Sequence, residues 1–99
     1  MSELSRAYRF AVNVTPKPGI LDPQGKAVER SLPHLGIAGV TCVRVGRRVE
    51  LTVAAADEAA ARAVVDHLAG ELLSNPLMEQ FAVETLGETE APAVAGVGG

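Results

Sequence analysis

Candidate nucleophiles and metal ligands are few in this sequence and lie far apart. Cysteine occurs only at Cys42, and the histidines are His34 and His67. A nucleophile needs an adjacent base, and a zinc site needs several ligands in one place, so these residues form no reactive set. The acidic pair Asp57 and Glu58 fits the start of a helix rather than acid–base catalysis. We therefore predict no catalytic residue, no metal site and no cofactor bound by this chain.

Charge and composition exclude several classes of partner. The formal net charge is -3 and no basic run is present, which argues against a nucleic-acid partner. A single cysteine cannot form an internal disulfide, which suits a reducing compartment. No apolar run approaches the length of a membrane span, and the first residues lack the core of a signal peptide. We therefore expect a cytoplasmic protein without a membrane partner.

The most particular segment of the sequence is the loop and helix start at 17–28. Asp22 and Pro23 supply a capping side chain and a first helical residue. Capping does not require the next two residues, Gln24 and Gly25, and a glycine in a helix costs about 1 kcal/mol relative to alanine. Either another surface approaches the backbone here, or a tight turn needs a residue without Cβ.

The elements that position this loop follow the order βαββαβ. Hydrophobic periodicity predicts strands over Arg6–Thr15, Val40–Val45, Val49–Ala55 and about Met78–Leu86, with helices over Asp22–Leu35 and from Asp57 to Asn75. The first helix should bury Ala27, Val28, Ser31, Leu32 and Leu35, with a kink at Pro33 and Gly36 after its end. We predict an α+β, ferredoxin-like split βαβ fold, in which two helices cover one face of a four-stranded antiparallel sheet.

The predicted domain covers residues 1–86, and residues 87–99 are expected to form a disordered Gly/Ala/Pro tail. The two middle strands should form a hairpin with its turn at Gly46–Arg48. Placing Val45 opposite Val49 keeps the valines on the buried face and sets Arg44 opposite Glu50.

The face of the sheet opposite the helices mixes charged and small side chains. This face can be an ordinary solvated surface. It can also associate with a second sheet, and we favour this because a chain with 3% aromatic residues builds a thin core. We predict a homodimer or larger homo-oligomer, with these interface residues: Arg9, Ala11, Asn13, Glu50 and Thr52.

Several segments together resemble the PurS family, the small subunits of phosphoribosylformylglycinamidine (FGAM) synthase. The matching segments, in the family's order, are Tyr8–Thr15, Gly19–Val28, Leu35–Gly36, Val43–Arg47, Glu50–Leu51 and Leu72–Pro76. The run from Leu21 to Gly25 combined with the later Val43–Arg47 is the specific part of the match. Pro33, the arginine at position 47 (often lysine in the family) and the tail depart from the family pattern.

The resemblance implies a place in de novo purine biosynthesis. A PurQ-type glutaminase releases ammonia, and a PurL-type synthetase uses ATP and Mg²⁺ to convert formylglycinamide ribonucleotide (FGAR) to FGAM. The small subunit contributes no catalytic residue to this ligase; it holds the two enzymes together and supports ammonia transfer. We assign the docking of these partners to Lys17, Asp22, Gln24, Gly25, Arg44 and Arg47. The alternative function is a regulatory module of the ACT type, which shares the fold and binds a small molecule.

Overall fold

The computed structural model describes residues 6–90. Three strands and two helices make up the fold: β1 (Arg6–Pro16), α1 (Pro23–Ser31), β2 (Arg47–Ala55), α2 (Glu58–Leu68) and β3 (Glu79–Glu90). A 3-10 turn at Leu32–Leu35 follows α1, and a π-helical turn at Ala69–Leu73 follows α2. The α+β class is therefore confirmed.

The sheet is antiparallel and three-stranded, in the order β2-β1-β3. The alternation in β1 orients its side chains as predicted, because Phe10, Val12 and Val14 are fully or almost fully buried. The helix α2 contributes Ala61 and Val65 to the same core. The core therefore lies between β1 at the centre of the sheet and α2.

The predicted fourth strand, Val40–Val45, and its hairpin with β2 were wrong for the described chain. Arg47 and Arg48, expected near the turn, already belong to β2, where they pair with Val14 and Asn13 of β1. A Cβ atom at Gly46 would collide with the Val14 carbonyl oxygen, so glycine permits β2 to begin against the end of β1. The residues before Gly46 therefore approach α1 instead of folding back along β2, and Arg44 does not lie opposite Glu50.

The expectation that α1 covers the sheet was also wrong. Gly25 is the only residue that this helix buries. Val28 is 42% exposed and Leu35, in the following turn, is 70% exposed, although both were expected in the core. The chain accordingly extends over 59 × 28 × 23 Å. One helix therefore packs on the sheet of its own chain, and the other projects from it with its apolar side chains in solvent.

The helix ends follow local chemistry. Asp22 caps α1 as predicted, and Gly36 adopts the left-handed conformation, with φ 72°, that glycine tolerates. Pro33 cannot donate an α-helical hydrogen bond, and the chain tightens into the 3-10 turn around it. After α2, the wider π turn changes the helical phase, so that Leu73 packs against the core and Leu72 is exposed.

The last strand is longer than predicted. An irregularity between Arg9 and Phe10 of β1 and the positive φ of Gly87 let pairing continue, so that Thr89 lies opposite Ala7. Residues 87–90, expected in the tail, therefore belong to β3, and the rest of the predicted tail lies outside the described residues. No helix within 6–90 is both long enough and apolar enough to cross a bilayer.

Candidate functional site

Three segments that are distant in sequence meet at one end of the sheet, which we call the corner: residues 16–25, 43–47 and 73–79. The amide of Lys17 donates to the Met78 carbonyl at 2.9 Å, and its ammonium group donates to the Pro76 carbonyl at 2.6 Å. The corner contains the two segments that make the family match specific, Leu21–Gly25 and Val43–Arg47, and most of the matching segment Leu72–Pro76. It brings together all six predicted docking residues, although each has a different environment.

Asp22 joins the loop, the helix and the segment before β2. One carboxylate oxygen accepts the Gly25 amide at 3.0 Å, and the other accepts the Val45 amide at 2.8 Å. Together with the guanidinium of Arg44, these amides lower the pKa of Asp22 because they stabilise its ionised form. The capping role was predicted from sequence, but the bond to Val45, which redirects the predicted strand, was not.

Glycine is required at position 25 because another segment of the same chain approaches its backbone closely. A Cβ atom at this position would overlap the carbonyl oxygen of Val43. Of the two interpretations of this glycine, the approach of another surface is confirmed, and that surface is residues 43–45. Position 25 is therefore buried by this contact, so its first role is structural.

Glu29 is a residue of this region that the sequence reasoning missed. Its carboxylate accepts the Val43 amide at 2.9 Å and lies 3.5 Å from the ammonium of Lys26. The amide bond is the main cause of its lowered pKa. Asp22 and Glu29 are seven residues apart, two helical turns, and this spacing is the signal by which one face of α1 could have been assigned to a carboxylate pair.

Two arginines fasten the corner to the rest of the fold. Arg44 donates to the carbonyl oxygens of Pro16 and Lys17, the second at 2.9 Å. Arg47 forms two 2.9 Å bonds with the carboxylate of Glu79 and donates to the Leu73 carbonyl at 2.6 Å. The guanidinium lowers the pKa of Glu79, another residue that sequence reasoning did not identify. These bonds fix the start of β2 against the turn that precedes β3.

An open cleft of about 600 Å³ lies among these segments. Gln24 is exposed in its wall, and Leu21 and Met78 contribute exposed apolar surface, with Leu21 73% exposed. Neighbouring Leu77 is 83% exposed. An apolar surface with a few polar groups on a rigid frame is suited to contact with another protein. Within residues 6–90, no three His, Cys, Asp or Glu side chains are grouped as a metal site would need.

On the face of the sheet opposite α2, Arg48, Glu50 and Glu84 pair their charges within the chain. Arg48 contacts the carboxylates of Glu50 at 2.9 Å and Glu84 at 2.8 Å. Asn13 lies within 3.4 Å of Glu84, and Ala11 is covered by its neighbours. The interface predicted for Arg9, Ala11, Asn13, Glu50 and Thr52 stays a prediction, because pairing within one chain neither requires nor prevents contact with a second sheet.

Comparison with known proteins places these features in one family. A family model described as "PurS: Phosphoribosylformylglycinamidine (FGAM) synthase" matches residues 9–87. The subunit PurS of that synthase from Synechocystis is 41% identical over 81 residues, which cover 82% of this chain and 81% of the relative.

Solved structures agree with this match. The purS subunit of Thermotoga maritima superposes with a TM-score of 0.74 at 31% identity, over 81% of this chain and 92% of that one. A chain in the structure of PurLQS from the same organism gives 0.75 at 31% identity, over 81% and 98%. Thermus thermophilus PurS gives 0.68 at 38% identity, over 87% and 99%.

Proposed function

The chain belongs to the PurS family of FGAM synthase subunits, and from this premise we propose that its corner docks a PurQ-type glutaminase against a PurL-type synthetase. The observation that carries the proposal is that three of the docking residues, Asp22, Gln24 and Arg47, line one open cleft. The family match does not support the ACT-type alternative. The structure of PurLQS from Thermotoga maritima, which contains a chain similar to this one, supports the choice of partners.

In this proposal the chain contributes position rather than chemistry. The ATP and Mg²⁺ of the ligase reaction bind to the synthetase, and the ammonia comes from the glutaminase. Ammonia is largely protonated in neutral water, and the ammonium ion is not a nucleophile. Docking the two enzymes without an open gap therefore keeps the nitrogen reactive between the two sites. The assembly works in the cytoplasm, where the single cysteine stays reduced.

The docking residues divide into two groups. Asp22, Gly25 and Arg47 hold the corner in shape through the contacts to Val43, Val45 and Glu79. Gln24, by contrast, is exposed on the wall of the cleft, where its amide can donate to and accept from a partner's backbone. Lys17 and Arg44 combine the two roles, since each bonds a carbonyl of its own chain while part of its surface remains accessible.

The test is assembly of the three purified proteins with the Gln24→Ala variant, measured by sedimentation over a range of concentrations. One neutral hydrogen bond contributes about 0.5–1.5 kcal/mol, so we expect the affinity to fall about 2- to 10-fold with no change in the stability of the chain itself. Gln80→Ala, which removes an exposed amide from β3, is the matched control and should assemble normally. Normal assembly of both variants would remove Gln24 from the interface.

A further inference from the structure

The corner carries a group of exposed apolar side chains, Leu21, Leu77 and Met78, which we call the apolar tip. These residues are 73%, 83% and 50% exposed, respectively. Leu21 and Met78 line the same open cleft, and Leu77 immediately precedes Met78 in the chain. Single apolar side chains on a surface are ordinary, but a group of large ones beside a cleft favours contact with another protein.

The turn before β3 holds two of these side chains in fixed positions. The amide of Leu77 donates to the side-chain oxygen of Asn75 at 3.1 Å, and the amide of Met78 donates to the Asn75 carbonyl at 3.0 Å. The Asn75 amide in turn donates to Glu79 at 2.8 Å, and the Met78 carbonyl accepts the Lys17 amide. A turn whose main chain is already bonded loses little conformational entropy on binding, so its exposed side chains are suited to act as anchors.

The charged side chains that line the cleft, Asp22, Arg47 and Glu79, are already paired within the chain. Arg47 and Glu79 form two bonds of 2.9 Å, and the Asp22 carboxylate accepts two backbone amides. The cations of Lys17 and Arg44 likewise donate to carbonyl oxygens of their own chain. A phosphate or carboxylate ligand would have to displace these bonds, whereas an apolar group leaves them intact. The cleft therefore fits an uncharged occupant.

We propose that the corner recognises an uncharged, apolar segment of the partner enzyme docked there. An apolar side chain of that segment packs into the cleft between Leu21 and Met78, and Leu77 packs against the same segment. The exposed amide of Gln24 bonds the main chain of the segment. Docking at this site depends on apolar contact rather than on attraction between charges, although three of the docking residues assigned from the sequence are cations. This recognition rests on the proposed docking function and specifies the chemistry of the surface that the partner presents.

Assembly of the three purified proteins with Leu77→Ala tests this recognition. Removing a leucine side chain that becomes buried on docking should weaken the affinity about 10-fold or more, measured by sedimentation. The stability of the isolated chain should not change, because Leu77 is exposed there. Leu21→Ala should act in the same direction, and Leu77→Met, which keeps the apolar volume, should assemble normally. Val64→Ala is the matched control and should also assemble normally, since it shortens an exposed apolar side chain on α2, outside the corner.

Salt dependence distinguishes apolar recognition from docking by charge. Raising sodium chloride from about 0.1 to 1 M shortens the Debye length from about 10 to 3 Å, and we expect the wild-type affinity to change less than about 2-fold. A loss of about 10-fold or more in high salt would show that charge attraction dominates, and would overturn the proposal. Normal assembly of both leucine-to-alanine variants would also overturn it, while the docking function would still stand on the wild-type complex. Failure of the wild-type chain to assemble at any concentration would overturn the docking function, and this recognition with it.

Discussion

The carbonyl oxygen of Val43 occupies the space into which a side chain on Gly25 would project. We therefore expect Gly25→Ala to push residues 43–45 away from α1. Forcing one carbon into a packed contact costs about 1–3 kcal/mol, and chemical denaturation should show a loss of that size in the free energy of unfolding. Gly70→Ala is the matched control, because the space around Gly70 is open. It should be neutral or slightly stabilising, and equal losses in the two variants would contradict the role of Val43.

The attachment of residues 43–45 to α1 should weaken in acid. The pKa values of Asp22 and Glu29 are lowered because their ionised forms accept backbone amides. The stabilisation is therefore complete above the pKa of the unfolded carboxyl groups, about 4, and is lost as the pH falls through the lower folded values. Hydrogen exchange should show lower protection of the Val43 and Val45 amides below that pH, after correction for the intrinsic rate.

Two variants distinguish the contribution of the Glu29 carboxylate from that of the Asp22 carboxylate in the same hydrogen-exchange experiment. Glu29→Gln should deprotect the Val43 amide at neutral pH and leave Val45 protected, and Asp22→Asn should act first on Val45. The Phe10 amide, in the central strand, serves as the reference. Unchanged protection of Val43 from neutral pH to about pH 3 would show that its carboxylate bond contributes nothing.

Sequence patterns correctly predicted those features of the fold that depend only on residues close together in the chain. The alternation of β1, the capping by Asp22 and the left-handed Gly36 each depend on a few neighbouring residues, and each was confirmed. The hairpin failed because alternation in residues 40–45 does not say what they pair with. Two carboxylates on α1 compete with β2 for those amides, and that competition appears only in three dimensions.

The candidate site shows the same difference between features that neighbouring residues decide and features that distant contacts decide. The loop around Gly25 was recognisable because its glycine had no local purpose. Arg47 was assigned through the family resemblance, but its partner Glu79 lies far along the chain and was not predicted. The π turn after α2, which exchanges the environments of Leu72 and Leu73, carries no pattern that hydrophobic periodicity can detect.

We expect the side chains of Arg47 and Glu79 to contribute to stability as one coupled pair. Glu79 also accepts the Asn75 amide, so its loss removes the anchor of the whole turn. We expect Glu79→Ala and Arg47→Ala each to lower the melting temperature, and the double variant to lose less than the sum of the two. Arg47→Lys should lie between wild type and Arg47→Ala, because lysine keeps the charge but cannot form the two-pronged contact. Additive losses in the double variant would show that the two side chains act independently.

The proposed docking role predicts a difference between nitrogen donors. Glutaminase and synthetase are assayed with and without this chain, using either glutamine or excess ammonium. Omitting the chain should abolish glutamine-dependent synthesis and largely spare ammonium-dependent synthesis, because external ammonia bypasses transfer between the two sites. Gln24→Ala should lower only the glutamine-dependent rate, and that loss should recover as subunit concentrations rise, since the fault is in assembly. Full glutamine-dependent activity without the chain would refute the docking role. Equal loss with both donors would instead mean that the chain shapes the active site of the synthetase.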